Sequence, residues 1–150
     1  MADLDPVLAE LLERARRDHV SWINGDASGY QLPDDGTILG AIGGFARGGA
    51  ETSERQALVA AHWVRGSGDV ELLNGGVTAD LAWLTFLERS RVLLRSEDAE
   101  RRWDPRVTEV FRRNRGDWER VHRHADPLVD RRSVADAAGL LDIDPGHRAR

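Results

Sequence analysis

His122 and His124 stand two residues apart in the stretch Trp118 to Ala125, which reads as a β-strand. Residues i and i+2 of a strand share a face, so the two imidazoles point the same way. A ring that titrates near neutrality can move a proton on or off a carbon acid or an enol. A second ring beside it can hold the neutral tautomer or polarise a carbonyl. Asp126 has the same parity and is placed to orient one ring. His122, His124 and Asp126 are therefore the candidate catalytic residues. The same rings can instead face solvent or a partner chain and hydrogen-bond locally. Two histidines on a strand are half of a zinc site. A third ligand such as His62 or Glu109 would have to converge, and no metal is expected.

Glu109 lies in mid-strand between Thr108 and Val110, and Glu88 in an otherwise apolar strand. Such a carboxylate faces water or is buried with a partner, because unpaired burial is costly. Arg106, Arg91 and Arg89 are the candidate partners. A carboxylate facing a pocket would instead have a raised pKa. His19, Trp22, His62 and Trp63 fall on helices that read as buried, and Trp83 on a strand. A pocket lined by these residues suits a flat, apolar ligand, and core packing is the alternative. His19, Trp22, His62, Trp63, Trp83 and Glu109 are the candidate substrate contacts.

Two absences exclude whole chemistries. The chain has no cysteine, so disulfides, thiolate nucleophiles and cysteine-ligated metals are ruled out. It also has no lysine: all 21 basic residues are arginine. A lysine Schiff base and a P-loop are therefore impossible. Gly43 to Gly49 is glycine-rich but lacks a dinucleotide fingerprint, and no organic cofactor is expected. A formal charge of -5 argues against nucleic acid as a partner. No apolar run is long enough to span a bilayer, and the acidic start Met1-Ala2-Asp3-Leu4-Asp5 is unlike a secretory signal. The expected location is the cytoplasm.

The elements that position these residues follow from periodicity. A chain of 150 residues has the length of one domain and buries roughly 70% of its extended surface. Asp5-Pro6 opens a helix whose stripe runs Leu8, Leu11, Leu12, Ala15, His19, Trp22, Ile23. Arg14, Arg17 and Asp18 fall on its wet side, and Asn24-Gly25-Asp26 ends it. Leu32 to Gly36 is a turn, and Thr37 to Ile42 a short strand. Ser53 with Gln56 reads as a capping box, predicting a well-buried helix over 54–65 that contains His62. Leu81 to Leu94 reads as a long strand, and 96–105 as a charged loop. Arg106 to Arg113 and Trp118 to Ala125 flank the hairpin signal Asn114-Arg115-Gly116-Asp117. The arginines of this hairpin, Arg112, Arg113, Arg115, Arg120 and Arg123, read as solvated or paired with Glu109 and Glu119. Ser133 with Asp136 predicts a short helix to Leu141. Helices first and an antiparallel sheet second make an α+β layout.

Three segments carry a resemblance: Trp22-Ile23-Asn24-Gly25-Asp26; Leu81 to Arg89; and the hairpin Arg106 to Arg113 with Gly116 to Asp126. The chain resembles the cone-shaped nuclear transport factor two-like superfamily, in its bacterial SnoaL-like and ketosteroid-isomerase-like branch. The resemblance covers residues 5–128, leaving 129–150 as a C-terminal tail. It implies a cystatin-like cone: N-terminal helices packed on a strongly curved antiparallel sheet, a pocket between them, and a homodimer through the sheet. It does not fix one function. The isomerase's tyrosine falls at Asp18 and His19, its base near Gly40 and its second acid near Val107. None of the three is kept, so that mechanism is not carried over. The cyclases' acid–base residue falls near His122, His124 and Asp126. The expected function is cofactor-free acid–base chemistry, of isomerase, cyclase or dehydratase class, on an apolar cyclic or polyketide-like molecule. A non-catalytic ligand-binding or association domain is the alternative.

Overall fold

The computed structural model describes residues 4–142. Helix α1 spans Pro6–Trp22. Asp5 caps it by accepting the Val7 N–H at 2.8 Å, and Pro6 occupies the first turn, where its missing N–H costs nothing. Leu8, Leu11, Ala15, His19 and Trp22 form the buried stripe. A single 3₁₀ turn, Ser28–Tyr30, follows. Strands β1 (Thr37–Leu39) and β2 (Ala46–Arg47) are short.

Helix α2 is Gly49–Ala60, not 54–65. Its N-cap is Gly48, whose φ of 81° turns the chain into the helix, and Ser53 lies inside it. The Thr52 hydroxyl donates back to the Gly48 carbonyl at 2.8 Å and stabilises this earlier start. Only Thr52, Gln56 and Ala60 of α2 are buried, and Leu58 is exposed. His62 is exposed and lies beyond the helix.

The remaining strands are β3 (Trp63–Val77), β4 (Leu81–Leu94), β5 (Arg101–Trp103), β6 (Pro105–Asn114) and β7 (Asp117–Pro127). The sheet order is β2-β1-β7-β6-β4-β3, with β5 paired to β4. Every pairing is antiparallel except β1 with β7. Strand β5 falls inside the stretch read as a charged loop. Helix α3 (Val134–Leu141) starts at Ser133 as predicted. Residues 143–150 of the expected tail lie outside the described residues.

Two apolar clusters fill the space between helices and sheet. One joins Leu8, Leu11 and Ala15 of α1 to Leu84, Phe86, Val107 and Phe111. The other gathers Trp22, Ile23, Tyr30, Ala60, Trp63 and Val92. Polar residues separate them along each element: His19 lies between Ala15 and Trp22, and Glu88 between Phe86 and Val92.

A bulge in β7 decides which side chains join them. Val110 pairs with His122 and Phe111 with Arg120, so Val121 is the extra residue. Without the bulge, with all of residues 120–123 in regular register, Arg120 and Arg123 would face opposite sides of the sheet. With it, both are buried on the inner face.

Candidate functional site

The interior of the fold holds a chain of charges. Arg123 donates to Glu88 at 2.7 Å through one guanidinium nitrogen and to Glu109 at 2.8 Å through another. Arg120 donates to Asp18 at 2.9 Å and to the Gly29 carbonyl at 2.8 Å. Its Nε lies 3.1 Å from Glu109 in an ion pair that lacks hydrogen-bond alignment. His19 Nδ1 lies 3.2 Å from Glu88, again without alignment, and His19 Nε2 shares a hydrogen bond with Ser90 Oγ at 2.5 Å. The Tyr30 ring lies under both guanidiniums, with centroid distances of 4.8 Å to Arg123 and 5.0 Å to Arg120. These are cation–π contacts in a desolvated place, where they are strongest.

Each titration follows from burial and neighbours. Burial works against the Glu109 carboxylate, but Arg120 and Arg123 outweigh it and hold its pKa below the ordinary value. Burial lowers the His19 pKa below the ordinary 6.5 despite Glu88, so His19 is neutral at pH 7. Burial also raises the Tyr30 pKa, which keeps its hydroxyl protonated. Asp18, Glu88 and Glu109 face Arg120, Arg123 and, at 3.7 Å from Asp18, Arg14. The network is thus close to neutral.

Beside it lies a small cavity of about 40 Å³, lined by Trp22, Tyr30, Ile38, Ile42, Gln56, Val59, Trp103 and Arg123 with intervening backbone. That volume holds a few waters or the polar end of a ligand. Tyr30 and Trp103 are among its lining residues, and the Tyr30 hydroxyl and the Trp103 indole N–H are buried with no partner in the protein. The Trp22 N–H is already committed to the Gln56 carbonyl at 3.1 Å. Ile42 and Val59 also wall a cavity of about 60 Å³ and, with Trp103, a more open groove of about 340 Å³. That groove is lined further by Arg55, Leu58, His62, Trp63 and Leu94.

The expected site residues are distributed differently. Trp22 lines the inner cavity, and His62 and Trp63 the groove. His19 and Glu109 are wholly buried in the charge network and line neither. Glu109 and Glu88 pair with Arg120 and Arg123, not with Arg106, Arg91 or Arg89. The latter three share the outward parity, whereas the bulge turns the former two inward. Asp18 is buried against Arg120, not on a wet face. Trp83 lies on the outer face of the sheet.

His122, His124 and Asp126 also lie on that outer face, since Arg123 and Ala125 take the inner one. His122 Nδ1 shares a hydrogen bond with the Thr37 hydroxyl at 2.7 Å. Burial and the neighbouring His124 lower its pKa. Asp126 is held by Arg106 at 2.8 Å and is not spare to orient a ring. The three are therefore not assembled at the cavity. Among the described residues, no group of three or more His, Asp or Glu converges as a metal site. No helix among them is long and apolar enough to cross a membrane.

No protein-family model matches the sequence, and no curated protein matches it. Solved structures do. A ketosteroid isomerase-like protein from Erwinia carotovora atroseptica superposes with a TM-score of 0.70 at 15% identity, covering 85% of this chain and 100% of its own. A nuclear transport factor 2 (NTF2-like) superfamily protein from Salmonella enterica gives 0.67 at 16% identity, over 83% and 92%. The chain has the NTF2-like cone fold. A candidate dehydratase of that family from Streptomyces avermitilis aligns at 0.63 and 19% identity, over 83% and 94%. At these identities the likeness carries the cone and not the activity.

Tyr30 and Trp103 are the interior residues that sequence reasoning missed, whereas the pairing of Arg120 and Arg123 with Glu109 was one of its two readings of the hairpin arginines. Two mid-strand glutamates in apolar strands do signal two buried cations. Which arginines supply them depends on one bulge residue that periodicity does not reveal.

Proposed function

We propose that this NTF2-like cone binds a small, neutral, mostly apolar molecule whose acceptor oxygen reaches Tyr30 and Trp103. One observation carries the reading: two residues that line the same cavity, Tyr30 and Trp103, each carry a buried donor without a protein partner. An unsatisfied buried donor costs about 1–3 kcal/mol, which a ligand oxygen or an ordered water recovers. The cavity accommodates only the oxygen end. The apolar body lies past Ile42 along Leu58, Trp63 and Leu94. Because the three nearby carboxylates are already matched by arginines, the cavity has no net positive charge to reward a carboxylate ligand.

A SnoaL-like acid–base activity, of isomerase, cyclase or dehydratase class, is the second reading. It rests on His62, the imidazole among the groove's lining residues. Under it His62 is the proton carrier, Tyr30 polarises the substrate carbonyl, and His62→Gln lowers turnover by about 10²–10⁴-fold with the fold intact. Unchanged turnover would leave a non-catalytic binding domain. We also infer a homodimer through the outer sheet face, where Leu73, Leu81 and Trp83 are exposed.

The binding reading is tested by thermal unfolding against flat apolar ligands: aromatic polyketides, steroids and terpenoids. A ligand at about 100 times its dissociation constant adds about 2.7 kcal/mol, which raises the midpoint by several degrees. No shift with any of them would contradict it.

A further inference from the structure

We propose that α3 is a strap that docks its apolar stripe into the groove at the mouth of its own cone. Val134, Ala137, Ala138 and Leu141 recur at i, i+3, i+4 and i+7 and make one stripe on α3. The helix is well started, with the Ser133 hydroxyl accepting the Asp136 N–H at 3.1 Å. Yet none of its residues is buried: Val134 is 87% exposed and Leu141 79%. Eight residues of helix are too few to persist in water without packing.

The groove formed by Ile42, Leu58, Val59 and Leu94 has the converse problem. It is an apolar channel of about 340 Å³ with Leu58 and Ile42 exposed at its lip. Its rim carries Arg55 and His62, whereas α3 brings Asp136 and, at its end, Asp142. The two are within reach. Val129 lines a surface groove that shares Trp103 with the mouth. The residues from Val129 to Val134 can extend roughly 17 Å. Docking would cover the exposed stripe and the groove together and would place Leu141 or Val134 against Ile42. Because the same groove takes the apolar body of the proposed ligand, α3 and that ligand would exclude each other there, and the mouth would open only when α3 lifts.

The absence of native cysteine makes the test clean, because introduced thiols are the only ones present. The full-length chain would carry Leu141→Cys with either Leu58→Cys or Ile42→Cys, all at exposed positions. Leu141→Cys with Leu73→Cys, on the outer sheet face, is the comparison. A disulfide needs Cα atoms within about 7 Å, so it reports proximity. Under mild oxidation at low protein concentration, at least one groove pair should form a bridge within one chain, about tenfold faster than the Leu73 pair. Adding Val134→Asp should abolish that advantage. Three results would overturn the proposal: no bridge from either groove position, bridging chiefly to Leu73, or bridging chiefly between chains.

Discussion

Arg123 illustrates why the interior charges matter more than those on the surface. It holds Glu88 and Glu109 at once, away from water. Removing one member of a buried ion pair leaves its partner charged and unsolvated, at a cost of about 3–5 kcal/mol. Arg123→Met should therefore lose about that much in urea unfolding. The exposed Arg106–Asp126 pair should behave differently, with Asp126→Asn costing under about 1 kcal/mol. Equal losses would contradict the distinction. The same network sets the pH profile. Folded Glu109 titrates below its ordinary value of 4.5, so its contribution is present above that pH and is lost as acid drives protons onto it. Folded His19 titrates below 6.5, so the unfolded chain binds more protons there, and stability rises with pH through the window just below 6.5. Glu109→Gln should flatten the acid limb of stability against pH. His19→Gln should flatten only the window below 6.5. Both effects are read from urea midpoints in a pH series.

At the scale of elements, long periodic segments were legible and punctuated ones were not. The α1 stripe, the Leu81–Leu94 strand and the hairpin around Arg115 and Gly116 follow directly from spacing and turn residues. The start of α2 was misplaced because Gly48 caps through its conformation, whereas Ser53 offers a capping pattern it does not use. The candidate catalytic triplet lies on the outer face, one residue of register from the inner one. A strict period of two puts His122, His124 and Arg120 on one face, and the bulge at Val121 resets the count. The two ends of the strand are then read in different phases. Inserting one alanine after Val121 should force Arg120 or Arg123 to the outer face, because the two would then be an odd number of ladder positions apart. The expected outcome is a chain that loses cooperative unfolding and its near-ultraviolet aromatic signal. A cooperative transition within about 1 kcal/mol of the parent would show that the bulge does not set the network.

At the scale of the whole molecule, the cone divides its two faces by task. The inner face spends its polar residues on one neutral network, leaving a cavity edged by Tyr30 and Trp103. The outer face presents Leu73, Leu81 and Trp83 beside His122 and His124. If that face pairs two copies, Trp83→Asp should convert a dimer to a monomer in sedimentation without changing the inner cavity. A parent protein that sediments as a monomer would remove the outer face from consideration.

The central claim is that Tyr30 offers a hydrogen bond to a neutral oxygen inside the cone. Calorimetric titration with 2-acetonaphthone, 2-naphthoate and 2-ethylnaphthalene tests it on one ring skeleton. The ketone should bind about tenfold more tightly than the hydrocarbon, the worth of one net hydrogen bond of about 1.4 kcal/mol. It should also outbind the carboxylate. Tyr30→Phe should reduce the ketone's advantage, leaving what the Trp103 N–H contributes, with the hydrocarbon unchanged. Tightest binding by 2-naphthoate, or a ketone preference undiminished by Tyr30→Phe, would contradict the account.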